Sequence, residues 1–390
     1  MGFLQMSDLK KAVIKLAKEN PELRKHLVPL IKKEAAIGKK YELTDEKKGS
    51  LTRIRALRDI PKRRVKTGDL GGWVESEANL SHDGLCWIYD KAKVFDRALV
   101  DDDAGVHSNV QVSGSAQVYG SAHIYDDVQV SGSAQVYGEA QVYEGAKVYD
   151  DAHVYGSAQI LGSAKVFHRA KVYGKSAVGG TATIYGQAQV FDYAGVYGDA
   201  RLYNEAKVFG NARVYGSAIL FGRAIVYNNA QLYGDARAYD NAGLSASSKV
   251  YDSAKIYGTA KVHGTAEVFG RAQVYEGAFI TENAKVYDFA RVYEDAQIRG
   301  DARVLGWAKI YGKAWIRDKA YISGKPEIYG NASVSGSAQV YDTAQVSGQS
   351  KVYGEAEVYD NAFVAGKAQV SGKARVFGDQ LVGGDQKIFQ

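Results

Sequence analysis

The chain of 390 residues carries a single cysteine, Cys86, with only four prolines and two methionines. One thiol excludes an internal disulfide framework and any cysteine-rich zinc or iron–sulfur site. It fits a reducing compartment, so a cytoplasmic location is expected. No apolar run approaches the ~20 residues that a membrane-spanning helix needs. The opening stretch, Met1 to Met6, is too short and too uncharged for a signal peptide. No membrane partner is expected.

Charge of one sign is scarce over most of the chain. The formal net charge is +6, but residues 1–87 hold 19 Lys/Arg against 12 Asp/Glu, while residues 88–390 hold 31 against 32. The basic surplus belongs to the front end, and the remainder lacks the overall charge of a polyanion binder.

What is abundant is glycine (43 residues) and tyrosine (28), within a chain that is 46% hydrophobic. From Ile88 these residues fall into six-residue units of the form V-Y-G-S-A-Q. The aliphatic slot runs from Ile88 and Val94 to Ile388 without insertion or deletion, giving 51 slots, of which only Ala238 is not Val, Ile or Leu. Four residues after each slot comes a small one, alanine in 42 of 50 occurrences between Ala92 and Gln386. An amphipathic helix repeats its apolar residues every three or four positions and a simple strand every two. A period of six with one branched and one tiny residue suits a short strand followed by a corner of roughly 120°, with the tiny residue where a narrow triangular interior takes nothing larger. Gly, Asp or Asn recurs two residues after the slot, as at Gly114, Asp126 and Asn204, where special corner dihedrals are expected. Glu144, Glu276 and Glu294 at the same position imply that some corners avoid positive φ. Pro326, in a small slot, predicts a local defect or a corner that makes no hydrogen bond there.

These units resemble the hexapeptide-repeat left-handed β-helix superfamily over about three quarters of the chain, and handedness is implied by that resemblance alone. The expected fold is all-β: a single-stranded left-handed parallel β-helix of about 17 coils, with a small α-helical N-terminal region and cap. The expected organisation is a basic helical segment over 1–38, a cap or transition module over 39–87 and the β-helix over 88–390. In the first segment Ser7 reads as a helix N-cap, Leu9, Val13, Leu16 and Ala17 share one face, and Asn20-Pro21 separates a second short helix. In the second, Leu51–Arg58 reads as a strand, and the segments Arg53-Ile-Arg-Ala-Leu-Arg58 and Gly68-Asp-Leu-Gly-Gly-Trp73-Val-Glu-Ser-Glu-Ala-Asn-Leu80 precede the array. Together with the V-Y-G-x-A-x repeats they resemble a family of uncharacterised bacterial, phage and prophage proteins over residues 41–390.

Enzymes of the superfamily are often acyltransferases that use a histidine near a subunit interface and a protruding loop. Here no loop interrupts 88–390. His107 and His123 share a face one coil apart without a recurring acidic partner; His153 and His263 sit six coils apart. Neither a G-x-G-x-x-G turn before a helix nor a phosphate-binding Lys-Ser/Thr loop is present. Cys86 reads as a packing residue. No catalytic, metal or cofactor-binding residue is assigned.

Two surfaces are candidates for binding. Arg53, Arg55, Arg58, Lys62, Arg63, Arg64 and Lys66 form a basic patch that reads either as a solvated cap or as a contact for a polyanion or a protein. The residue after each slot is Tyr or Phe in 33 of 51 units, and Tyr119, Tyr137, Tyr155, Tyr173, Phe191, Phe209 and Tyr227 line up over seven coils. Such a column either stabilises the sheet by stacking or forms an oligomer or partner interface. The functional expectation is a structural scaffold or interaction rod, phage or prophage related, that meets a protein partner through residues 1–38 and forms a homo-oligomer. The alternatives are a binding module for nucleic acid, glycan or a host protein, virion association, and an acyltransferase.

Overall fold

The structure, a computed structural model, describes residues 38–390. From Trp87 the chain winds through strands of two or three residues, parallel to the strand 18 residues later, and the coils stack into a triangular solenoid with three sheet faces. Face 1 starts at Trp87–Ile88, face 2 at Lys93–Val94 and face 3 at Leu99–Val100. Register never slips: Val94 pairs with Val112, and Val364 with Val382 at the far end of the same face. Backbone N–H groups donate to the next coil, as from Gln117 N to Ala134 O (2.9 Å) and from Tyr119 N to Val136 O (3.0 Å). The backbone's polar groups are thereby paired between coils.

The aliphatic slots from Ile88 to Val376 and the alanines of the small slot form one continuous core with essentially no solvent exposure. Valine and isoleucine suit the flat wall because their branched Cβ packs against identical neighbours above and below. Alanine turns inward beside each corner. Serine replaces it at Ser176, Ser248 and Ser350; the hydroxyls of Ser176 and Ser350 donate to the carbonyls of Tyr173 and Ser347 at 2.8 and 2.7 Å, while that of Ser248 is buried without a partner. Pro326 leaves both flanking strands intact: Lys309 N still reaches its carbonyl at 3.0 Å, and Glu327–Ile328 pair with Lys309–Ile310.

The corner residue two positions after the slot adopts positive φ whatever its type. Glu144, Glu276 and Glu294 have φ of 63°, 55° and 56°, so the expectation that glutamate corners avoid this region was wrong. The winding imposes this φ even on Ala246 (56°), and at some acids the side chain supplies a compensating bond. Glu276 Oε2 accepts the corner N–H of Glu294 one coil on (2.9 Å), as Asp96 Oδ2 accepts that of Gly114 (2.9 Å). A carboxylate thus offsets the left-handed strain by pairing a backbone donor.

The expected α-helical N-terminal element requires correction: among the described residues there is no α-helix. The helices expected over residues 1–38 fall, apart from residue 38, outside the described residues. Residues 41–74 form an antiparallel meander, β1 (Tyr41–Lys48), β2 (Leu51–Ala56) and β3 (Leu70–Val74), with a 3-10 turn at Pro61–Arg63 between the last two. Strands win here because β3 joins face 2 in parallel register and β1 and β2 extend that sheet, pairing an edge the first coil would otherwise expose. Leu80 bridges Val100, so the segment from Val74 to Ile88 is itself a coil, and the total is about 18 coils where 17 were expected. At the other end Gln380 and Gln386 stand in small slots. Their Oε1 atoms accept the N–H groups of Phe377 (3.0 Å) and Gly383 (2.8 Å), taking the place of a following coil's carbonyls.

Candidate functional site

The basic patch divides into two parts. Arg53 and Arg55 project from β2 and are balanced by acids on β1: Arg53 Nη1 lies 2.9 Å from Glu46 Oε2, and Arg55 pairs with Glu42. Arg53 also donates to the carbonyl of Gly71 (3.2 Å) and lies over the Trp73 ring. Arg58, Lys62, Arg63, Arg64 and Lys66 belong to the segment around the 3-10 turn. Thr67 ties down its end by donating from its backbone N (2.7 Å) and hydroxyl (2.8 Å) to Asp59 Oδ1, which lowers the Asp59 pKa. Arg58 reaches the carbonyl of His82 (3.4 Å). Arg64 sits at φ 55° and ends the turn.

Arg63 crosses to the solenoid, a contact that sequence reasoning missed because it joins residues sixty apart. Its Nη1 lies 3.4 Å from His123 Nε2, and its carbonyl accepts the Tyr89 hydroxyl (3.0 Å). His107 lies flat on the Tyr89 ring, centroids 4.0 Å apart, with the His123 ring 6.1 Å beyond. Gly105 makes the room: a Cβ there would lie 2.8 Å from His107 Nε2. Burial, with His123 and Arg63 adding repulsion against an opposing effect from Asp90, pushes His107 down to about 4; burial and Arg63 lower His123 as well. Both imidazoles are therefore neutral at pH 7. The sequence had placed them on one face; the guanidinium beside them works against a cation there. Among the described residues no group of three or more His, Cys, Asp and Glu is arranged to hold a metal ion.

Cys86 is buried beneath the first coil, where the Lys40 ammonium donates to its Sγ (2.9 Å) and to the carbonyl of Asp83 (3.0 Å). Burial raises the thiol pKa and lowers that of Lys40. A thiol held protonated and enclosed is a poor nucleophile.

The seven aromatics from Tyr119 to Tyr227 stack on face 3, with centroid spacings from 4.8 to 5.2 Å. Each ring is half-buried by its neighbours, which leaves edges and hydroxyls in solvent. A longer ladder on face 2 escaped the sequence reading: eleven rings run without a break from Tyr149 to Tyr329. Several hydroxyls donate to the side chain sixteen residues on, as from Tyr215 to Gln231 Oε1 (3.2 Å) and from Tyr311 to Glu327 Oε2 (3.4 Å).

A third aromatic feature lies off these ladders, at the corner between faces 1 and 2. Phe289 and Trp307 stack at 4.2 Å, and Trp307 is 52% exposed. Beside them is an open recess of about 570 Å³, lined also by Arg291, Lys309, Lys325 and Glu327.

No helix among the described residues is long and apolar enough to cross a membrane. No curated protein matches the chain. A family model described as the YdcK Beta solenoid repeat matches residues 206–220 and 368–384, so the repeat is similar to that of YdcK-like β-solenoids.

Proposed function

We propose that this protein is a non-enzymatic interaction scaffold: a rigid rod that displays repeated side-chain ladders and is addressed to a protein partner through residues 1–38. The observation that carries this reading is the unbroken register, in which each face repeats every 18 residues from Val94 to Val382 and the core runs through without interruption. Stacked coils joined by backbone hydrogen bonds and a dry core resist bending, which suits a spacer or platform. In this reading residues 39–87 are the cap, residues 88–390 the rod, and the rod pairs with further copies through its ladders. A phage or prophage origin and kinship with hexapeptide-repeat proteins remain part of the proposal, supported by the V-Y-G-x-A-x text.

The test is a pull-down from the native host with the full chain and with a variant lacking residues 1–38. Loss of one stoichiometric partner in the truncated protein alone is the expected result. A partner retained by the truncated rod rejects addressing through the front segment.

A further inference from the structure

We propose that the strip of face 2 beside Phe289 and Trp307 binds single-stranded nucleic acid, with a base stacked on the Trp307 indole and phosphates on the neighbouring cations.

The stack is built from one side only. The Arg271 guanidinium lies over the Phe289 ring at 5.5 Å, and Phe289 lies parallel to Trp307 with an interplanar angle of 1°. The outer indole face looks toward the next coil, where the same position holds Lys325, a flexible and exposed side chain. Elsewhere the aromatic ladders cover most ring faces with another ring, and their residues are half-buried. Trp307 instead keeps a flat π-surface in solvent, and its axial neighbour is a cation. A base fits there with an ammonium beside it.

The floor of the strip supplies further charge. Arg291 and Lys309 project from successive strands of face 2, between the Phe289–Trp307 stack on one flank and the Tyr293–Tyr311 ladder on the other. The corner acid beside the stack, Asp288, accepts the N–H of Gly306 (3.2 Å), which holds its carboxylate along the corner without cancelling its charge. The opposing charge in the strip is Glu327, paired with Lys309 at 2.8 Å. The near-zero net charge of the repeat is an average that hides this local excess: Arg271, Arg291, Lys309 and Lys325 surround the stack, with Glu327 as the acid among the recess residues. A positive track beside an open aromatic face matches a sugar–phosphate chain with unpaired bases.

The experiment is fluorescence anisotropy of the full chain with labelled oligo(dT) and oligo(U), a labelled DNA duplex and labelled heparin. Thermal melting of every variant checks the fold. Single strands are expected to bind more tightly than the duplex, and the two oligomers separate a DNA ligand from an RNA one. Trp307→Ala is expected to weaken single-strand binding about ten-fold or more, with Trp307→Phe retaining most of it. Glu327→Gln is expected to strengthen binding by freeing Lys309. The double variant Arg291→Gln, Lys309→Gln is expected to reduce the salt dependence of log Kd by about 0.7 for each phosphate it no longer neutralises. Single-strand affinity unchanged in a folded Trp307→Ala protein overturns the proposal. So does the absence of single-strand binding, or heparin binding that is equally sensitive to Trp307→Ala.

Discussion

Val74 lies in parallel register with Val94, and through that pair an antiparallel meander becomes the first rung of the solenoid. Tyr41, buried at the start of the meander, donates its hydroxyl to the carbonyls of Leu80 (2.9 Å) and Glu77 (3.0 Å) and sets its ring edge-on to Trp87. Tyr41→Phe keeps the ring and strips these carbonyls of their donor. It is expected to cost about 1–2 kcal/mol, measured as a lowered urea midpoint at unchanged slope. A neutral result would mean that the cap is not coupled to the first coil.

The inward and outward positions should respond differently to substitution. Ala212 is fully buried in a small slot, whereas Tyr215 is half-buried and stacks on Tyr233 at 4.8 Å. Ala212→Leu is expected to destabilise by about 1–3 kcal/mol through overpacking. Tyr215→Ser should cost less, about 1 kcal/mol for one stacked pair. Thermal unfolding that ranks the two in the opposite order contradicts the assignment of faces.

Corner acids pair a donor and tolerate positive φ together. At Asp252, φ is 56° and Oδ2 accepts the N–H of Gly270. Asp252→Gly removes the strain along with the bond and is expected to change stability by under ~1 kcal/mol. Asp252→Val loses the bond and forces a branched side chain into the left-handed region, so it should cost roughly 2 kcal/mol or more. Comparing the two by chemical denaturation checks this.

His107 supplies a pH dependence. Its folded pKa of about 4 lies below the ordinary 6.5, so the unfolded chain takes up this proton first as pH falls. The group costs no stability above about pH 6.5, and its destabilisation grows from there down to about pH 4. His123, also lowered, acts in the same direction. Because the ring is partly solvated, the loss is expected to be roughly 1–2 kcal/mol after screening. The urea midpoint should drop over this window, and His107→Gln should flatten the profile. Equal slopes in the two proteins would contradict the burial of His107 against Tyr89.

The solenoid was legible because a six-residue period cannot be buried any other way, and 51 slots keep its phase. The cap was only partly so. Alternation in Leu51–Ala56 signalled a strand, but its partner Tyr41–Lys48 ends in acids and lysines without apolar alternation, and no strand was expected there. Glutamate corners were misread because propensity alone does not show that Glu276 has a backbone donor one coil away. Contacts such as Arg63 with His123, and the one-sided stack of Phe289 and Trp307, depend on where winding and the cap loop bring distant residues. The basic patch appeared uniform in sequence, yet Arg53 and Arg55 are neutralised by an adjacent strand.

The continuous rod is tested most directly by small-angle X-ray scattering of the purified chain. About 18 coils at ~4.8 Å each give a length of roughly 85 Å. The expected result is a pair-distance function skewed by a tail to at least that length, with a linear cross-section region of a thin rod. A symmetric pair-distance function with a radius of gyration near ~21 Å, the value for a compact chain of this size, would contradict it.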